Sequence, residues 1–295
     1  MLLSHFIKNS VAALTPLYPE EEARSMVMYY CTEVFVFPVY QHITEPSTEV
    51  PSDLLEVALD DMRRLAASEP LQYVLGYTEF CGRRFAVDDR ALIPRAETEV
   101  LCQEAEKLVG SEPLRVLDLC TGSGCIAWTL ALDLPGSGVV ATDLSQDALD
   151  LADSQFRTAS GRPSRLPKGA IRPQFVKADL LDVEATVAAV GCGFNLLTAN
   201  PPYVMVAEKA DMRQNVLGWE PHMAIFAPEE DPLVFHKAIA EVALRVLASG
   251  GCGIVEINSE IPDETAAVFT AAGFKEINII PDYFDRPRFV SFRRP

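Results

Sequence analysis

The sequence predicts an α/β fold: a doubly wound, mostly parallel, seven-stranded sheet, preceded by a small helical domain and a β-hairpin connector. Two observations carry this prediction. From Leu114 onward, short apolar runs alternate with amphipathic segments of helical periodicity. In addition, the ends of successive apolar runs carry glycine-rich or polar residues, as expected where parallel strands face a ligand crevice.

The predicted elements follow in order along the chain. Residues 1–79 show helical patterns, including an acidic first turn after Pro19, and predict a helical domain. Residues 80–95 predict the hairpin connector with its tip at 88–90. Residues 96–295 predict the α/β domain that contains the seven-stranded sheet. Strands are predicted at 115–119, 138–143, 174–179, 194–199, 253–257, 277–280 and 288–292, and helices from 98 and at 126–132, 146–155 and 233–247. Residues 157–172, rich in Pro, Gly and Arg, predict an exposed loop.

Composition limits the partners of the chain. With 49% hydrophobic and 23% charged residues among 295, it is globular and large enough for one large or two modest domains. Its formal charge of -17 repels nucleic acid phosphates and favours a basic protein partner. Seven scattered cysteines and four histidines without ligand spacing indicate free thiols and no metal site. No signal peptide or membrane span is recognisable, so we expect a cytoplasmic protein.

The segment Asn200-Pro201-Pro202-Tyr203 directly follows the fourth predicted strand. Its prolines remove two backbone N–H donors and leave carbonyls with no donors beside them. An Asn side chain beside such carbonyls can accept both hydrogens of a planar –NH2 group, and Tyr203 offers a flat face for stacking. The segment therefore indicates a clamp for an amide or an exocyclic amine. A proline-rich turn is the alternative.

Small and acidic residues end the first three predicted strands. Asp143 follows the glycine turn by about twenty residues, the distance expected of an acid that binds ribose hydroxyls. Asp179 ends the third strand, where it could bind an adenine amino group. The alternative is a tight turn between ordinary strand ends. The turn itself, in which small residues admit a ligand to the backbone, consists of Cys120, Thr121, Gly122, Ser123 and Gly124.

These motifs resemble those of the class I S-adenosylmethionine methyltransferases that modify planar nitrogens. Enzymes of this class have a Rossmann-like fold. Four further segments are distinctive, namely Gln72-Tyr73-Val74-Leu75-Gly76, Glu79-Phe80, Ile93-Pro94-Arg95-Ala96-Glu97-Thr98-Glu99 and Glu220-Pro221. Through these segments the chain resembles, more narrowly, the peptide chain release factor glutamine methyltransferase family from about Glu69 to the last strand. That resemblance implies methylation of the glutamine in the Gly-Gly-Gln motif of class I release factors, with the helical domain binding this partner.

The resemblance also implies a role for each strand-end residue. Residues 120–124 would hold the methionine moiety of the cofactor and Asp143 its ribose, while Asp179 and Leu180 would flank its adenine. Asn200 would contact both cofactor and substrate. The remaining substrate contacts, to the glutamine, would come from Pro201, Pro202 and Tyr203. Among the departures from relatives, Cys120 stands where many methyltransferases have Gly, and Leu180 where some carry an aromatic residue.

Three other functions compete with this interpretation. A ribosomal protein L3 glutamine methyltransferase would share most motifs, although the segment 95–99 favours the release factor type. A DNA or RNA exocyclic-amine methyltransferase would also use Asn-Pro-Pro-Tyr, but the acidic charge and the lack of a basic stripe with aromatic residues argue against direct nucleic acid binding. A non-catalytic module has no need for the intact Asn-Pro-Pro-Tyr.

Overall fold

The computed structural model describes residues 1–110, 112–157 and 164–295. They form two compact units, one of Met1–Gly76 with Arg213–Trp219 and the other of Tyr77–Met212 with Glu220–Pro295. Across the described ranges, no helix has the length and apolarity to cross a membrane.

The elements are named here in chain order. Short 3₁₀ helices lie at Val206–Asp211 and His222–Ala224. The α-helices are α1 (Leu3–Leu14), α2 (Glu20–Val34), α3 (Gln41–Thr44), α4 (Leu55–Ala66), α5 (Leu71–Leu75), α6 (Thr98–Leu108), α7 (Cys125–Asp133), α8 (Gln146–Ser154), α9 (Val183–Val190), α10 (Gln214–Leu217), α11 (Val234–Val246) and α12 (Pro262–Ala271). The strands are β1 (Tyr77–Phe80), β2 (Arg83–Ala86), β3 (Arg115–Leu119), β4 (Gly138–Asp143), β5 (Gln174–Lys177), β6 (Phe194–Ala199), β7 (Leu247–Glu256), β8 (Lys275–Pro281) and β9 (Pro287–Arg293).

The smaller unit has an aromatic core of its own. Phe6 of α1 packs edge-on against Phe35, with ring centroids 5.4 Å apart, and both rings contact Tyr30 of α2. The hydroxyl of the fully buried Tyr30 donates to Asp61 of α4 at 2.6 Å, which satisfies a polar group inside the core. Helix α2 begins directly after Pro19 with three glutamates in its first turn, as predicted.

The larger unit contains the predicted sheet. Its strand order is β5-β4-β3-β6-β7-β9-β8, and the seven strands are parallel except for β9, which runs antiparallel to both of its neighbours. Helices cover both faces, with Trp128 of α7 fully buried on one side and Phe269 of α12 on the other. The strand order reverses between β3 and β6, and this point is where a doubly wound sheet opens a ligand crevice.

The hairpin lies earlier than the sequence indicates. Strands β1 and β2 pair across a two-residue turn of Cys81 (φ 48°) and Gly82 (φ 68°). Because both positions have positive φ, the turn matches the twist of the strands, so the pair closes a tight hairpin. The predicted tip at 88–90 was wrong. Asp88 there instead accepts from the backbone N–H of Arg90 at 3.1 Å and pairs with its guanidinium.

Strand β7 is longer than predicted. Helix α11 ends at Val246 and the strand begins at the next residue, whereas the sequence placed its start at 253. Gly250 (φ 76°), which lies between the predicted helix and the predicted strand, is within β7. The pairing of β7 with β6 shifts register between Phe194 and Leu196, so this glycine-rich stretch belongs to an irregular strand.

Part of the predicted loop at 157–172 lies outside the described residues, namely 158–163. Its far end is anchored. The Arg172 guanidinium stacks on the Trp128 ring, 4.6 Å from the centroid, and donates to the carbonyl of Gln155 at 3.2 Å.

Gly253 of β7 is a position at which packing permits no side chain. A Cβ there would lie 2.3 Å from Cζ of Phe292, a buried ring stacked on Phe269. Gly253→Ala is expected to lower the free energy of unfolding by about 1–3 kcal/mol, the usual cost of overpacking, in urea denaturation. Gly138→Ala is the control, since a Cβ at that strand glycine meets nothing within 4 Å. Equal losses in the two variants would contradict this account.

Candidate active site

A cavity of about 350 Å³ lies at the carboxyl ends of β3, β4, β5 and β6, where the strand order reverses. The structure brings most of the predicted site residues to its wall. These are Cys120, Thr121, Gly122, Ser123, Asp143, Asp179, Leu180, Asn200 and Pro202. Gly124, Pro201 and Tyr203 were also predicted and are not among the described residues that line it.

The turn after β3 has three residues in the left-handed region. They are Cys120 (φ 55°), Gly122 (φ 53°) and Gly124 (φ 79°). Gly124 is the N-cap residue directly before α7, and a Cβ there would lie 2.8 Å from that of Ala152, so this glycine shapes the turn and is not among the described residues that line the cavity. Cys120 adopts a conformation that disfavours side chains. Burial, reinforced by nearby carboxylates such as Asp143, raises the pKa of its thiol well above the usual value, so the thiol is neutral.

Asp118 braces this turn from below. It is fully buried at the end of β3, and its two oxygens accept from the hydroxyls of Thr121 at 2.6 Å and Thr198 at 2.7 Å. Burial raises the pKa of the carboxyl to about 7. The Asp118 side chain thus joins the turn to β6, the strand that leads into the Asn-Pro-Pro-Tyr segment.

Asp143 is held by the backbone around it. One carboxylate oxygen accepts from the N–H of Gly122 and the other from the N–H of Ser145, both at 2.9 Å. Burial raises the pKa of this carboxyl. Each oxygen keeps a lone pair for a further donor, so the group can receive two adjacent hydroxyls of a ribose.

The end of β5 provides a polar and an apolar group side by side. Asp179 is exposed, and one of its oxygens accepts from the N–H of Leu181 at 2.9 Å. The neighbouring Leu180 is buried against the cavity. An apolar wall beside a carboxylate fits a flat base that bears an amino group. Together with Asp143 and the small residues of the turn, these groups fit a nucleoside such as that of S-adenosylmethionine.

Asn200 connects the cavity to a buried polar network. Its Nδ2 donates to the hydroxyl of Thr98 at 3.3 Å, and that hydroxyl donates to Glu256 at 2.8 Å. The Tyr203 hydroxyl donates to the other oxygen of Glu256, also at 2.8 Å. Through its hydroxyl group, Tyr203 therefore anchors the segment that follows β6. Sequence reasoning assigned no role to Glu256, although an acid at the end of a strand is the signal that drew attention to Asp143.

Glu220 supports the part of the cavity wall that contains Arg95 and Pro221. Its side chain is buried and accepts from the backbone N–H of Ile93 at 3.0 Å and from the guanidinium of Arg95 at 2.6 Å. Glu99 accepts from the N–H of Cys81 at 2.9 Å. The two segments of the resemblance, 93–99 and 220–221, are thus joined physically, and Arg95 and Pro221 both line the cavity.

The predicted free thiols are confirmed. All the cysteines of the chain lie within the described residues and none forms a disulfide. Cys192, just before β6, is the exposed one, whereas the others are buried or half-buried.

The fold and the cavity define a Rossmann-like methyltransferase that uses S-adenosylmethionine. No model of a protein family matches the chain. Among individual proteins, it is 33% identical to the release factor glutamine methyltransferase of Bacteroides thetaiotaomicron over 99% of each chain. It is 31% identical to that of Flavobacterium psychrophilum over 98% of each. A methyltransferase structure from Pyrococcus furiosus, at 13% identity, superposes with a TM-score of 0.51 over 83% of this chain and 99% of that one, which supports the fold. The chain belongs to the release factor glutamine methyltransferase family.

The raised pKa of Asp118 makes stability depend on pH. The folded state holds this proton up to about pH 7, whereas an ordinary aspartate releases it near 3.8. The contribution of Asp118 to stability is therefore present below pH 3.8 and is lost as pH rises through about 7. Relative to the parent, Asp118→Asn should gain unfolding free energy between these limits, by at most about 1.4 kcal/mol per pH unit. Parallel urea-denaturation profiles of the two proteins across this pH range would contradict the prediction.

Asp143 should matter for cofactor affinity. Asp143→Ala removes two charge-assisted acceptors and is expected to weaken S-adenosylmethionine binding by about 1.5–3 kcal/mol in calorimetry. Asp147→Ala, on the exposed face of the adjacent α8, is the charge-matched control. Unchanged affinity of Asp143→Ala would remove this residue from the cofactor site.

Proposed function

We propose that the protein methylates the side-chain amide nitrogen of the glutamine in the Gly-Gly-Gln motif of class I peptide chain release factors. One observation carries the proposal: the amide of Asn200 lies on the wall of the cavity that fits the cofactor, directly before two prolines. Membership of the family supports the choice of substrate.

S-adenosylmethionine, when bound, supplies a methyl group activated by a sulfonium. In our proposal the turn 120–124 holds its methionine moiety, Asp143 accepts from its ribose, and Asp179 with Leu180 flanks its adenine. The support for these roles is that Asp143 is fixed by two backbone N–H groups and that a buried leucine lies beside the exposed Asp179.

The substrate amide needs positioning above all. Its nitrogen is a poor nucleophile, because the lone pair is delocalised into the carbonyl. We propose that Asn200 Oδ1 and the Pro201 carbonyl accept its two N–H groups, and that Pro202 and Tyr203 complete the substrate site. These hydrogen bonds strengthen as the nitrogen becomes positive, so they stabilise the transition state more than the ground state. A general base is not required, since the nitrogen proton becomes acidic only after methylation.

The wider setting is part of the proposal. Residues 1–79 would bind the release factor, and the charge of -17 would attract a basic surface and disfavour direct nucleic acid contact. Because the proposed partner acts in translation, we also propose a cytoplasmic location.

Mass spectrometry of a purified release factor, incubated with the protein and S-adenosylmethionine, tests the proposal. We expect one added methyl group on the glutamine of the Gly-Gly-Gln motif. A release factor with Gln→Ala at that position is the blank, while ribosomal protein L3 and single-stranded DNA and RNA serve as competing substrates. Methylation of one of these, with none on the release factor, would overturn the proposal.

Asn200 should contribute to chemistry more than to folding. Asn200→Ala is expected to lower single-turnover methylation by roughly a hundredfold or more, the loss typical of one pre-organised hydrogen-bonding group. Its thermal melt should stay close to the parental one, because the residue is a half-buried polar group at a strand end. Asn200→Asp keeps the shape and the acceptors and should retain more activity. Parental rates in Asn200→Ala would mean that the motif is merely a turn.

A further inference from the structure

We propose that Thr98 and Glu256 are positioning residues that fix the amide orientation of Asn200, with its Oδ1 toward the cavity. This inference rests on the proposed function, since it concerns the group that would accept the substrate N–H. Thr98 borders the cavity, whereas Glu256 is not among the described residues that line it, and both act through Asn200.

The orientation matters because an Asn amide has two nearly isosteric ends of opposite character. Its oxygen accepts hydrogen bonds and its –NH2 group only donates them. Turned by 180°, Asn200 would present two donors to a substrate amide that also offers donors. The clamp therefore works in one of two orientations, and something must select it.

The buried hydrogen bonds supply the selection. A carboxylate only accepts, so the hydroxyls of Thr98 and Tyr203 must both point their hydrogens at Glu256, each at 2.8 Å. The single hydrogen of Thr98 is thereby used, and only a lone pair remains for Asn200. Asn200 must then turn its –NH2 toward Thr98, where Nδ2 lies 3.3 Å from the hydroxyl oxygen. Its oxygen is left for the cavity.

The environment of Glu256 keeps this direction fixed. Glu256 and Thr98 are each 2% exposed, so water does not compete for their hydrogen bonds. Burial raises the pKa of Glu256, whereas the two donated hydroxyls and the positive charge of Arg288, whose Nη1 lies 3.5 Å from the Tyr203 hydroxyl, lower it and so favour the carboxylate. Glu256, a buried acceptor of two hydroxyl hydrogens, thus orients the Asn200 amide through the hydroxyl of Thr98.

A double-mutant cycle separates this role from simple support of the loop. Thr98→Val keeps the side-chain shape and removes the hydroxyl. It should lower the single-turnover methylation rate of a release factor by roughly threefold to tenfold, the effect of one lost hydrogen bond, with the KM for the release factor nearly unchanged. In the Asn200→Ala background the same substitution should have no further effect. Thr98→Ser, which restores the hydroxyl, should recover most of the rate.

The matched control is Thr265→Val. Thr265 is fully buried on α12, and its hydroxyl donates to the carbonyl of Ile261 at 2.8 Å. This variant also loses a buried hydroxyl but should keep the parental rate. An unchanged rate in Thr98→Val, an equal loss in the Asn200→Ala background, or an equal loss in Thr265→Val would each overturn the inference.

A second readout does not depend on activity. The side-chain ¹⁵N–¹H₂ resonances of Asn200, assigned by their absence from Asn200→Ala, should shift in Thr98→Val and stay in place in Thr98→Ser. If the parent methylates no release factor, the proposed function fails while this measurement still tests the hydrogen bond. Unshifted Asn200 resonances in Thr98→Val would overturn the positioning role by themselves.

Discussion

The geometry of the crevice depends on a carboxyl group that solvent does not reach. Asp118 receives one hydroxyl from the glycine turn and one from β6, and so ties the turn to the strand beside β3, where the sheet order reverses. If this side chain were lost, the turn that lines the cavity and the strand that leads to Asn200 would lose the hydrogen bonds that join them. Because the group is buried, its hydrogen bonds have no competition from water.

The same device occurs a second time in the sheet. Glu256, at the end of β7, receives hydroxyls from Thr98 and Tyr203, as Asp118 at the end of β3 receives those of Thr121 and Thr198. Asp118 supports the turn at 120–124, and Glu256 supports the segment that begins at Asn200. Asn200 lies between them, since it follows β6, the strand that separates β3 from β7.

The sequence predicts what is local and periodic. Parallel strands end at one edge, so Asp143, Asp179 and Asn200 could be placed around one crevice from their positions after apolar runs. The pairs of side chains that support the crevice could not be predicted, because their members are distant in the sequence. Arg95 and Glu220 are 125 residues apart, and Thr98 and Glu256 are 158 apart. The hairpin was misplaced for a different reason, because its turn uses left-handed Cys81, a residue type that rarely signals such a conformation.

The distribution of thiols has a practical consequence for measuring partner binding. Cys192 is exposed, whereas burial raises the pKa of the Cys120 thiol in the crevice and so lowers its reactivity toward thiolate-directed reagents. Cys192 precedes β6 and Asn200 follows it, so the two ends of this strand are roughly 20 Å apart. A maleimide fluorophore would therefore attach at the edge of the sheet opposite the cavity. Once the half-buried Cys81, whose pKa is lowered by a hydrogen bond with Cys102, has been replaced, this label would provide an optical probe that does not obstruct the reacting groups.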